Sequence, residues 1–151
     1  MDSEDDTLLV KLQVTLPARP EGLEDLHTAF DQFFAEAEAT GMPVEDRVAL
    51  LTAAGEVAAN IVEHACSHLP DAEMLLELYA RHGGFEVSLT DPGTEYDEST
   101  EDRAPGEDED GEGGRGMAVV RASVDEVEYV RTAEETNKWR LVRNRRHPTR
   151  P

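Results

Sequence analysis

The stretch from Thr94 to Glu112, TEYDESTEDRAPGEDEDGE, holds ten carboxylates, one arginine and almost nothing apolar. With no apolar surface to offset the entropy of ordering, it does not fold by itself. Periodic apolar segments stand on both sides of it, so it lies inside one folded domain. In such a place a connection longer than about 12–15 residues is either a functional lid or a disordered insert.

Ahead of the acidic run, Leu8, Val10, Leu12, Val14 and Leu16 alternate with Leu9, Lys11, Gln13 and Thr15, the period of a half-buried strand. Pro20 then opens a segment in which Leu23, Leu26, Phe30, Phe33, Phe34 and Ala37 recur at three- and four-residue steps. Gly41 follows it at a C-cap position. This spacing predicts a helix with its aromatics in the core. Pro43, Glu45 and Asp46 suit the start of a second helix. Its apolar face, Val44, Val48, Leu51, Ala54, Ala58, Ile61 and Ala65, continues for about six turns. Leu76, Leu78 and Ala80, then Phe85, Val87 and Leu89, read as a hairpin turning through His82, Gly83 and Gly84.

After the acidic run, GGRGMAVVRAS predicts a short helix entered through glycines. Val127 with Tyr129, then Trp139, Leu141 and Arg143, predict two further strands joined near Glu134 to Asn137. The order β-α-α-β-β-lid-α-β-β predicts an α+β fold, a two-layer α/β sandwich whose mixed, mostly antiparallel sheet carries helices on one face. Residues 1–7 are expected to be a disordered acidic N-terminus, 8–143 the domain with 94–113 as its lid, and 144–151 a frayed basic tail or a site for a partner's acidic patch.

Lys and Arg total 14 against 34 Asp and Glu, a formal net charge of −20 that repels phosphate backbones and anionic lipid. Direct nucleic-acid binding and membrane association are therefore not expected. Cys66 alone cannot close an intramolecular disulfide, and MDSEDDTLLV has neither the basic nor the apolar region of a secretory leader. A soluble, cytoplasmic protein is expected.

Three clusters carry chemistry. Glu56, Asn60 and His64 follow one another at four-residue steps on the second helix, beside the small residues Ala53, Gly55, Ala58 and Ala59. Asp91 and Gly93 close the third strand in LTDPGTEYD, a carboxylate acceptor beside a residue that lets backbone come close. Gly111, Gly113, Gly114, Arg115 and Gly116 lead into a helix whose N–H groups suit a phosphate. Taken singly, these are also what a solvated helix face, an Asp-Pro-Gly turn and an ordinary glycine loop look like.

In the order ExxxNxxxHA (Glu56 to Ala65), DxGxxYD (Asp91 to Asp97) and GxGGRGMAVVR (Gly111 to Arg121), the clusters resemble the ATP-binding domain of the GHKL superfamily. Within it the chain looks most like the anti-sigma-factor serine/threonine kinases of bacterial partner-switching systems. The resemblance covers roughly residues 8 to 143. Glu95 stands where many superfamily members have a second glycine, a departure that favours the anti-sigma branch.

The resemblance implies a Bergerat-type ATP-binding fold. Glu56 is then the general base or water-orienting residue, and Asn60 ligates the Mg²⁺ that bridges the phosphates. Asp91 accepts from the adenine amine, with Gly93 giving the base access. Gly114 and Gly116 cradle phosphates, with Arg115 adding positive charge near the γ-phosphate. His64 is not assigned a role. The implied function is an anti-sigma factor that phosphorylates an anti-sigma antagonist of the STAS type with ATP and sequesters a sigma factor, acting as a homodimer. A second reading is a nucleotide-responsive module that sequesters its partner without phosphoryl transfer. It is motivated by Glu95 and by the ten carboxylates, which repel a triphosphate unless the loop swings outward or metal ions intervene.

Overall fold

The computed structural model describes residues 6–97 and 113–146. Ten elements follow in the order β1 (Leu8–Pro17), α1 (Pro20–Ala37), a 3₁₀ turn (Glu38–Thr40), α2 (Val44–Asn60), a π turn (Ile61–Ala65), β2 (Glu73–Arg81), β3 (Gly84–Asp91), α3 (Gly113–Ser123), β4 (Glu126–Arg131) and β5 (Asn137–Asn144). The strands form one sheet in the order β1-β2-β3-β5-β4, and all four pairings are antiparallel. The expected two-layer α+β architecture is what the chain adopts.

Alternation decides which face of the sheet is covered. Leu12 pairs with Leu78 and Leu78 with Val87, and Val87 pairs with Leu141, so one side of each strand contributes to a single apolar layer. Leu26, Phe30 and Phe33 of α1 and Leu50, Ala54 and Val57 of α2 fill the space above it. Pro20 occupies the first turn of α1, and Gly41 ends the 3₁₀ turn in the left-handed region at φ 82°. The opposite face is solvated and crossed by ion pairs, with Glu86 held by Arg81 at 2.9 Å and by Arg140 at 3.3 Å.

The strand period in β1 breaks at its start. The register shifts between Leu8 and Val10, and both Leu8 and Leu9 are exposed, so Leu8 does not join the inward set its spacing suggests. The expected tail boundary also moves. Asn144 N–H donates to Asp125 at 2.7 Å and Arg146 pairs with Asp125 at 2.9 Å. Arg145 donates to the carbonyls of Thr40, Arg81 and His82 while its guanidinium lies over the Phe85 ring. Residues 144–146 are thus bonded to the domain because each cation finds an acceptor there, whereas 147–151 lie outside the described residues. At the other end Thr7 accepts from His82 N–H at 2.9 Å, and residues 1–5 lie outside the described ones. No helix among the described residues is long and apolar enough to cross a membrane.

One buried ion pair fastens the layers. Asp46, in the first turn of α2, is 0% exposed and accepts from Arg143 Nε at 2.6 Å, while Arg143 Nη1 donates to the Ser123 carbonyl at the end of α3. Removing the cation strands a carboxylate in the core, so Arg143→Ala is expected to cost about 3–5 kcal/mol in urea melts. Asp46→Ala in the same chain should restore part of that loss, giving a clear coupling in the double-mutant cycle.

Candidate functional site

Glu56 and Asn60 lie one turn apart on α2, both half-buried. Among the described residues no hydrogen bond or ion pair engages either side chain. The α-helix stops at Asn60, and the chain makes one wide turn in which Cys66 N–H donates to the Ile61 carbonyl at 2.8 Å. The stripe of four-residue steps therefore ends at Asn60. His64 sits exposed on the wide turn.

That turn delivers Ala65 and Cys66 to the end of β3. The Ala65 carbonyl accepts both the Thr94 N–H at 2.9 Å and the Thr94 hydroxyl at 3.1 Å. Gly93 is packed so closely there that a Cβ on it would stand 2.3 Å from the Ala65 oxygen and 2.5 Å from its carbon. Its φ is not in the left-handed region, so space rather than backbone conformation excludes a side chain.

Asp91 is 1% exposed, and its two oxygens have different surroundings. Oδ1 accepts from Gly93 N–H at 2.8 Å, Asn137 Nδ2 at 3.0 Å and Cys66 Sγ at 3.6 Å. Among the described residues Oδ2 is buried without a donor. A buried carboxylate oxygen left unpaired is costly. Burial, reinforced by the Asp91 charge, pushes the Cys66 thiol up to about 12.

The third segment meets the first. A Cβ on Gly116, in α3, would lie 2.9 Å from Glu56 Oε1, so the glycine lets the helix backbone approach the carboxylate. Gly114 and Arg115 fall in the first turn of the same helix, with their side-chain surroundings outside the described residues. Residues 98–112, most of the expected lid, also lie outside them. The structure therefore brings Glu56 to Gly116 and the wide turn that follows Asn60 to Asp91 and Gly93. No group of three or more His, Cys, Asp or Glu side chains that could hold a metal exists among the described residues.

Sequence reasoning missed the support on the β4–β5 hairpin. Asn137 is 1% exposed and Tyr129 and Arg131 are partly buried beside it. The Tyr129 hydroxyl donates to Asn137 Oδ1 at 2.6 Å and accepts Tyr96 N–H at 2.9 Å. Tyr96, Tyr129 and Trp139 stack with ring centroids 4.8–5.7 Å apart. The only sequence cue was a polar Asn opening an otherwise alternating strand.

Two glycine substitutions separate the roles. Gly93→Ala meets rigid backbone and is expected to lose about 2–3 kcal/mol in denaturant melts, whereas Gly116→Ala meets only a carboxylate tip and should lose under ~1 kcal/mol. Cys66, buried and protonated at neutral pH, should resist iodoacetamide at pH 8 in the folded chain and react once it is unfolded.

The family model described as the histidine kinase-like ATPase domain matches residues 16–143. Serine-protein kinase RsbW of Listeria innocua is 28% identical over 128 residues, covering 80% of each chain. A solved structure of the RsbU and RsbW domains of a Mycobacterium tuberculosis protein superposes with a TM-score of 0.64 at 18% identity, over 91% of this chain and 33% of that one. The chain thus spans about one third of that solved chain, and the likeness to it is one of fold. With residues 16–143 matched and a five-stranded antiparallel sheet and its covering helices as the frame, the chain belongs to the histidine kinase-like ATPase domain family.

Proposed function

We propose that this chain is an anti-sigma factor with serine/threonine-protein kinase activity, one that phosphorylates a STAS-type antagonist and holds a sigma factor inactive, in the cytoplasm and as a homodimer. The observation that carries the nucleotide part is the unpaired, fully buried Asp91 Oδ2, placed beside a carboxylate oxygen already saturated with donors. An adenine amino group supplies the missing N–H, and a base with an oxygen at that position is repelled. The relative named serine-protein kinase RsbW supports the kinase part of the reading.

ATP supplies the phosphoryl group, and Mg²⁺ the charge neutralisation that transfer needs. The Asn60 amide oxygen, with no protein partner among the described residues, is the donor this chain offers to the metal. Glu56, one turn earlier, takes the proton from the incoming serine or threonine hydroxyl. The first turn of α3, which holds Gly114, Arg115 and Gly116, would offer its N-terminal N–H groups to phosphate oxygens, and Arg115 would add positive charge.

The test combines calorimetry with transfer of radiolabel from Mg-ATP to a STAS-type antagonist. Asp91→Asn should weaken ATP binding by about tenfold or more, since it removes a charged acceptor. Glu56→Gln and Asn60→Ala should each lower label transfer by roughly 100-fold or more. Label transfer that survives Asn60→Ala would remove the metal assignment. Tight ATP binding with no transfer by the unaltered chain would favour the second reading, a nucleotide-responsive module that sequesters its partner; no ATP binding would overturn both.

A further inference from the structure

We propose that Asn137 is the positioning residue that makes Asp91 selective for a purine 6-amino group, an inference that rests on the adenine reading above. The Asn137 side chain is surrounded by partners that allow only one orientation of its amide. On one side stand acceptors: Nδ2 donates to Asp91 Oδ1 at 3.0 Å, to the Thr94 carbonyl at 2.8 Å and to the Gly93 carbonyl at 3.3 Å. On the other stand donors: Oδ1 accepts from the Tyr129 hydroxyl at 2.6 Å and from Arg131 Nη1 at 3.0 Å. Turning the amide over would set its oxygen against a carboxylate and two carbonyls and its NH₂ against a guanidinium. Arg131 Nη1 also donates to the Gly93 carbonyl at 2.7 Å, so the backbone beside the carboxylate is held from the same hairpin.

This arrangement acts on Asp91 by occupying one of its oxygens. A carboxylate free to rotate about its terminal bond presents either oxygen in either direction, and it adapts to a donor or turns away from its absence. With Oδ1 committed to Gly93 N–H and Asn137 Nδ2, rotation is blocked and Oδ2 is fixed as the single open acceptor. A site with a fixed, desolvated acceptor rejects a ligand that lacks the matching N–H far more strongly than an adaptable one does, because the acceptor then stays unpaired. Asn137 need not touch the nucleotide for this effect.

The experiment compares dissociation constants for ATP and for purine riboside 5′-triphosphate, which lacks only the 6-amino group, by calorimetry on the full chain with Mg²⁺ present. The unaltered chain should favour ATP by about tenfold or more. In Asn137→Ala the ATP constant should rise roughly tenfold while that for the purine riboside triphosphate stays within about twofold, so that selectivity collapses. Tyr129→Phe keeps the ring stack and deletes only the hydroxyl that fixes the amide. It should shift the ratio the same way by about two- to fivefold, and it decides the matter should Asn137→Ala fail to fold. Retained selectivity in these variants, or a parallel weakening of both nucleotides, overturns the role given to Asn137 while leaving the adenine reading standing. An unaltered chain that binds neither nucleotide, or binds both equally, overturns the adenine reading and this inference with it.

Discussion

The site depends on two backbones in contact. Gly93 lies against the carbonyl of Ala65, and Thr94 fastens the junction with two hydrogen bonds to the same oxygen. Because of that contact the end of a helix and the end of a strand, distant along the chain, share one corner of the molecule. Cys66 then reaches Asp91, and the polar edge of α2 is carried toward the N-terminal turn of α3, where Gly116 leaves room for Glu56. A side chain at position 93 would separate these parts before any question of chemistry arose.

Much of this was legible in the sequence, and the reason is locality. Strand alternation in LLVKLQVTL from Val10 onward and the aromatic steps of Leu26, Phe30 and Phe33 report on neighbours within a few residues, and both became elements with the expected buried sides; the face expected from Val44 onward holds at Ala54, Ala58 and Ile61 but fails at its start, where Val44 and Val48 are exposed and Leu50, Ala53 and Val57 are buried instead. The glycine at 93 was legible as a position of close approach, though not what approaches it, whereas that at 116 was read as part of a phosphate cradle and not as the place where Glu56 comes close. What stayed hidden was long-range or non-periodic. The bulge near Leu8 and the wide turn after Asn60 leave no mark on the apolar pattern. Asp46 with Arg143, Asp91 with Asn137 and Arg145 with the Thr40 carbonyl join residues 97, 46 and 105 positions apart. No spacing rule relates such pairs, because only the completed sheet order brings them together.

The cations of this strongly acidic chain have structural employment. Arg131 holds the Gly93 carbonyl, Arg143 the buried Asp46, Arg145 four backbone carbonyls, and Arg140 a row of glutamates along the solvated face. What looked like a basic tail is in part the material that closes the domain. The described part of the site is accordingly built from backbone N–H groups, an amide and carboxylates, with guanidinium groups working from behind.

The wide turn at Ile61–Ala65 accommodates one residue more per hydrogen-bonded ring than an α-helix does. Its length is therefore under tight constraint. Deleting a single amino acid here would close the wide ring to an α-helical one and displace whatever follows. Cys66 would swing away from β3, and the junction would open. Lineages of this domain should accordingly tolerate gaps and insertions in the acidic connection far more readily than in these five positions.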